Sequence, residues 1–140
     1  MTSISIPKLS VLCLDDHTII RDILRSHLIH MGFHDIDLCA TAEEADKLMT
    51  GKHYDIVLVD WVLPGRSGYA LLQKYRAKRE YTDVAFVMVT SQDEVSQVVD
   101  AMQAGATTYV IKPIIAKDFY DIMRTTLEWL SVMREKSRRG

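Results

Sequence analysis

The sequence predicts an α/β fold built on a five-stranded, wholly parallel sheet of strand order 2-1-3-4-5 with five surrounding helices. Three observations predict it. Strand-like apolar runs at Val11 to Leu14, Ile36 to Cys39, Ile56 to Val59, Val84 to Val89 and Thr107 to Ile111 alternate with segments of helical period. The first, third and fourth runs are almost wholly apolar, as a strand covered by helices on both faces requires. The second run carries Asp37 and the fifth carries Thr107 and Thr108, groups that prefer one wet side or a sheet margin. With right-handed crossovers, putting those two runs outside gives the order 2-1-3-4-5.

The helices follow from spacing and caps. Ile20, Ile23, Leu24, Leu28 and Met31 recur at three and four residues and stop at Gly32, a C-cap. Thr41 with Glu44, and Ser91 with Glu94, match the capping box and should open helices two and four. Leu71, Leu72 and Tyr75 mark a short third helix. Val95, Val98, Val99 and Met102 mark the fourth, and Phe119, Ile122, Met123, Leu127 and Leu130 the fifth. Every one of these apolar stripes needs a sheet to cover it. The basic stretch Arg134 to Gly140 reads as a frayed helix end in solvent.

Length and composition bound the function. A chain of 140 residues with 48% apolar content suits one domain over 1–140, with its core at about 8–133 and a polar basic tail at 134–140. A formal charge of -2 gives no footprint for a polyanion, so no direct nucleic-acid binding is expected. Cys13 and Cys39 lie in apolar runs and read as small buried hydrophobes in a reducing, cytoplasmic setting. No apolar run approaches the ~20 residues that span a bilayer, and the N-terminus lacks the pattern of a secretory signal, so no membrane insertion is expected.

The chemistry concentrates at strand ends. In an open parallel sheet, ligands bind beyond the carboxyl ends of the strands where the strand order reverses, here between strands one and three. Strand one ends in Asp15-Asp16, strand three in Asp60, strand four in Thr90 and strand five in Lys112-Pro113. Each has an ordinary explanation alone, as a cap, a turn residue, a β-former or a solvated lysine. Their convergence on one rim is harder to explain so. Two carboxylates ~4 Å apart repel by about 4 kcal/mol at an effective dielectric of ~20, so three crowded acids call for a cation. Hard oxygen donors without a His or Cys cluster favour Mg²⁺ over zinc. Such an ion binds phosphoryl oxygens, and Lys112 with the Thr90 hydroxyl can hold the others. The remaining carboxylate is then a nucleophile that forms an aspartyl phosphate, and Asp60 is the choice because it ends the central strand.

The pairs Asp15-Asp16 and Lys112-Pro113, with the runs DIVLVDWVLPGRSG, VMVTS and AGATTYVIKP, resemble the response regulator receiver domain, above all its stand-alone chemotaxis type. The resemblance extends from about Lys8 to Leu130. It implies the flavodoxin-like winding, of which this family is a known example. It also implies Mg²⁺ held by the Asp16 and Asp60 side chains and the Val62 backbone carbonyl, with Asp15 assisting through water. Asp60 becomes the phosphoacceptor of a two-component phosphorelay, charged by a sensor histidine kinase or phosphotransfer protein. Thr90 and Tyr109 become the switch pair, Thr90 turning toward the phosphoryl and Tyr109 moving into the vacated space. Lys112-Pro113 is usually cis in the family, and Ser91 is small enough to leave the phosphoryl pocket open. The output face is helix four, strand five and helix five, which meets a downstream target protein. The chain is then a switch and not a turnover enzyme.

Two departures stand out. Val62, two residues beyond the acceptor, cannot hydrogen-bond where the chemotaxis type often has a polar residue, which bears on phosphoryl lifetime. Gly65-Arg66-Ser67-Gly68 replaces the usual acid or amide before Gly68; Gly68 should still supply the turn, and Arg66 reads as a solvated charge or a lure for a partner. Three other readings compete. A haloacid dehalogenase-like phosphatase needs a second Asp where Val62 stands. A flavodoxin-like cofactor protein needs glycine where Leu14-Asp15-Asp16-His17-Thr18 runs. A receiver-fold adaptor acting without phosphorylation would not need Asp16, Asp60, Thr90 and Lys112 intact.

Overall fold

The computed structural model describes residues 5–139, and the Val95 side chain also lies outside the described part. The strands are β1 (Ser10–Leu14), β2 (Asp35–Cys39), β3 (Ile56–Asp60), β4 (Ala85–Thr90) and β5 (Thr108–Ile111), all parallel, in the order β2-β1-β3-β4-β5. The helices are α1 (Thr18–Met31), α2 (Ala42–Gly51), α3 (Gly68–Arg76), α4 (Val98–Gln103) and α5 (Ala116–Arg139). The predicted fold class and strand order are thus the observed ones. No helix among the described residues is long and apolar enough to cross a membrane.

Alternation along the strands makes two cores. Leu12, Leu14, Val57, Val59, Phe86 and Met88 pack on one face against α2, α3 and α4. Val11, Cys13, Ile56, Leu58, Val87 and Val89 pack on the other against α1 and α5. β3 and β4 are buried along their whole length, which is the two-faced cover their apolar sequences predict. Both cysteines are free and buried.

β2 and β5 are the sheet margins, as expected, and their polar groups are paired there. On β2, Asp37 is held by Lys52 and Tyr54. On β5, Thr108 is buried and its hydroxyl lies 3.0 Å from that of Thr126 in α5. Thr107 accepts the Phe86 N–H. These threonines therefore mark the edge by pairing with neighbouring elements, and neither seeks water.

Helix ends show where local rules hold. Gly32 adopts φ 102° and its N–H bonds Ile29, so it closes α1 as a left-handed C-cap. Thr41 Oγ1 accepts the Glu44 N–H and opens α2, as the capping box requires. Ser91 and Glu94 differ. Glu94 Oε1 accepts from the Ser91 N–H at 3.0 Å, but the Glu94 N–H bonds the Ser91 carbonyl, an i to i+3 closure. That closure winds Gln92–Gln97 as a 3-10 helix and leaves α4 only six residues. So short a helix buries one narrow stripe, centred on Ala101, while Val99 and Met102 stand 63% and 42% exposed. The expectation that every apolar residue of this segment lies against the sheet is corrected accordingly.

The basic tail is corrected in part, since Lys136 to Arg139 stand exposed as expected while Arg134 does not. α5 runs unbroken to Arg139, and Arg134 reaches Asp55 at 2.7 Å and Asp83 at 3.2 Å. It anchors α5 to the amino ends of β3 and β4. Gly140 lies outside the described residues.

Candidate functional site

The carboxyl ends of β1 and β3 bring the acids together. Asp15 follows Leu14 and is wholly buried, Asp60 ends β3 with 3% exposure, and Asp16 stands exposed beside them. One carboxylate oxygen from each of Asp15, Asp16 and Asp60, with a ring nitrogen of His17, lie within 4.8 Å of one another. Lys112, just past β5, enters the same space. Its Nζ is 3.0 Å from Asp15 Oδ2 and 3.4 Å from Asp60 Oδ2. The Lys112-Pro113 peptide bond is cis.

Electrostatics in this pocket are unbalanced. Burial pushes the Asp60 carboxyl up to about 6, Asp15 adds to the rise, and Lys112 with the Val62 backbone opposes it. Burial alone would depress the Lys112 ammonium, but its contacts with Asp15 and Asp60 outweigh that and hold it above its ordinary value. Asp15 Oδ2 is buried and makes no aligned hydrogen bond, its closeness to Lys112 being an ion pair. Asp15 and Asp60 share one lysine and Asp16 stands beside them, an acidic group built from hard oxygens. That donor set fits a divalent cation such as Mg²⁺.

The other predicted residues make their contacts elsewhere. Thr90, opposite Ile111 at the end of β4, is buried and donates its hydroxyl to the Ser91 carbonyl at 3.2 Å. Ser91 gives its hydroxyl to Glu94 Oε1 at 2.7 Å. Val62 is 59% exposed in the loop after β3. Pro113 is exposed. Tyr109 lies opposite Met88 on β5, with its side chain reaching solvent.

Arg66 is half-buried and held by partners, where a freely solvated charge was expected. It bonds the Ala42 carbonyl and Asp46, tying the loop after β3 to α2, where Tyr75 and Lys74 meet the same carboxylate. Gly68 has no positive φ. Its role is close approach, since a Cβ there would lie 2.0 Å from the Asp60 carbonyl oxygen. Sequence reasoning missed His17, whose Nδ1 is 3.1 Å from Asp15 Oδ1 and 3.2 Å from Asp16 Oδ1. The available signal was its place directly after the acid pair, in the turn that opens α1.

The family model of the response regulator receiver domain matches residues 11–124. The chemotaxis protein CheY homolog of Campylobacter jejuni is 28% identical over 122 residues, covering 84% of this chain and 94% of that protein. The solved receiver domain of NtrX from Brucella abortus superposes with a TM-score of 0.78 at 25% identity, covering 85% of this chain and 98% of that one. A longer NtrX structure from the same organism gives a TM-score of 0.85 at 25% identity over 94% of this chain, which spans 30% of that chain's length.

Proposed function

The chain belongs to the response regulator receiver domain family, and on that premise we propose that Asp60 is the phosphoacceptor of a cytoplasmic phosphorelay switch of the chemotaxis type. The observation that carries this reading is the buried Asp60 carboxylate ending the central strand with Lys112 Nζ 3.4 Å away. Above its raised pKa of about 6 the carboxylate is ionised at neutral pH and free to attack. An Asp60 oxygen attacks the phosphorus of a phosphohistidine on a sensor kinase or phosphotransfer protein. The new O–P bond forms as the P–N bond breaks, and the departing imidazole takes up a proton.

Asp16, Asp60 and the Val62 carbonyl would hold Mg²⁺, with Asp15 assisting through water. The ion supplies charge neutralisation for the phosphoryl oxygens. Lys112 turns its ammonium to another phosphoryl oxygen, and the Thr90 hydroxyl leaves the Ser91 carbonyl for a third. Ser91 and Pro113 line the pocket. The added charge of about -1.5 to -2 biases the packing of Thr90 and Tyr109. The target-binding face is α4, β5 and α5, and the exposure of Val99, Met102 and Tyr109 there supports that choice.

Incubation with Mg²⁺ and acetyl phosphate tests the reading. One acid-stable, hydroxylamine-labile phosphate per chain, absent from Asp60→Asn, is expected. Full labelling of Asp60→Asn would overturn the assignment, and release of many phosphate equivalents per chain would make the protein a phosphatase instead.

A further inference from the structure

α5 buries Phe119, Met123, Thr126 and Leu130 against the sheet. At ~100° per residue, the side nearly opposite carries Asp118, Asp121, Thr125, Val132, Lys136 and Arg139, with Glu128 in the middle, and every one of them is exposed. This stripe runs ~30 Å along the helix. Its charge is ordered, with the acids in the first half and the bases in the last. The helix dipole favours an acid in the first turn and a base in the last, which accounts for Asp118 and Arg139. It does not reach Asp121, a turn further in, and it says nothing of Val132, an apolar side chain that is 54% exposed. Partners within the helix do not settle these charges either. Asp121 meets Arg124 at 3.6 Å and Arg139 meets Glu135 at 3.3 Å, in exposed pairs of the kind that contribute little.

We infer that this stripe is the face on which two copies of the chain pair, α5 against α5 and antiparallel, about a two-fold axis. The stripe is self-complementary about the midpoint between Glu128 and Trp129. Antiparallel alignment there sets Asp118 opposite the partner's Arg139, Asp121 opposite the partner's Lys136 and Thr125 opposite the partner's Val132, and the two-fold repeats each pair. A patch that meets itself is what a two-fold contact requires. The ion pairs flank the apolar contact, in which the Thr125 methyl covers Val132. Parallel alignment would instead set acid against acid and base against base. Glu128 is the one discordant charge, because the two copies bring it to either side of the axis. A single helix pair is small beside a standard interface of ~1,600 Å², so the dimer is weak and held largely by charges that salt screens. It uses neither Asp60 nor a metal ion and stands apart from the phosphoacceptor reading.

Sedimentation equilibrium of the full chain, up to about 1 mM, tests this. A monomer–dimer equilibrium is expected in about 50 mM salt, weakened about tenfold or more in about 500 mM salt, where the Debye length shrinks to ~4 Å. Asp121→Lys and Lys136→Glu should each weaken self-association about tenfold or more, since each sets like charges opposite one another twice. Mixed in equal amounts, the two variants should pair with each other as tightly as the parent chain, because every reversed charge then meets its opposite. Glu128→Gln should tighten the dimer by removing the repulsion beside the axis, and weakening by it would refute the register. A monomer at every concentration and salt overturns the inference. So does a dimer that neither reversal weakens, which would put the contact on another face. A mixture of the two folded variants that does not regain pairing overturns it too, and species larger than a dimer would mean a head-to-tail contact without the two-fold.

Discussion

Lys112 Nζ stands 3.4 Å from Asp60 Oδ2, close enough for the ammonium to oppose the rise that burial imposes on that carboxyl. Burial raises the Asp60 carboxyl to about 6 and Lys112 restrains the rise. Lys112→Met removes the restraint, so the carboxyl climbs further and a smaller fraction is ionised at neutral pH. Labelling by acetyl phosphate as a function of pH should therefore show its acidic limb displaced to higher pH in the variant. Coincident limbs for the two proteins would refute the coupling.

The same raised pKa carries a stability consequence with a definite sign. A carboxyl at about 6 in the folded chain and near 3.8 unfolded binds more protons when folded, so ionising it weakens the fold as pH rises from about 4 to about 6. Asp60→Asn lacks that penalty. Urea unfolding without divalent ions should show the variant about 1–3 kcal/mol more stable at pH 7.5, with the gain vanishing below about pH 4. Comparing the two proteins cancels the opposite trend from Asp35, whose carboxyl Lys52 holds low.

How far the sequence leads depends on the range of the forces involved. Strand order was legible because burial on two faces demands unbroken apolar runs, and β3 and β4 have them. Asp15, Asp16, Asp60 and Lys112 were legible as a group because a parallel sheet delivers its strand ends to one rim. Contacts between elements distant in sequence were not. Arg66 finds Asp46 across 20 residues and Arg134 finds Asp55 across 79, and no local pattern announces either pairing. His17 was hidden for another reason, since an exposed histidine after two acids reads equally well as a turn residue. At α4, the Ser91 and Glu94 spacing was right but the hydrogen bonds close at i+3, a choice that spacing alone does not distinguish.

Arg134 gives a test of the long-range kind. Its guanidinium joins Asp55, which is 8% exposed, to Asp83, and so fastens the last turns of α5 to the sheet. Arg134→Ala leaves the Asp55 carboxylate with the Ser10 N–H at 2.8 Å and the His53 ring nitrogen at 3.8 Å. A loss of about 1–3 kcal/mol in urea unfolding is expected. Arg138→Ala, whose partner Glu135 lies on the same exposed helix face, should cost less than about 0.5 kcal/mol. Equal effects of the two substitutions would show that Arg134 is a surface charge like any other.

Gly68 tests how the acceptor strand is positioned. Its N–H bonds the Trp61 carbonyl at 2.9 Å, drawing the start of α3 against the end of β3. A Cβ at Gly68 would meet the Asp60 carbonyl oxygen at 2.0 Å and Val59 Cγ1 at 2.8 Å. The first obstacle is backbone, so relief requires Asp60 or α3 to move. Gly68→Ala should cost about 1–3 kcal/mol or more in unfolding and slow phosphate uptake on Asp60 beyond what the stability loss explains. Gly51, at the end of α2, is the control, because an added methyl there would find nothing within 4 Å. Gly51→Ala should leave uptake unchanged and hold or slightly raise stability, because alanine favours the helix. Uptake by Gly68→Ala at the parental rate, measured well below its unfolding midpoint, would mean that the α3 contact does not position Asp60.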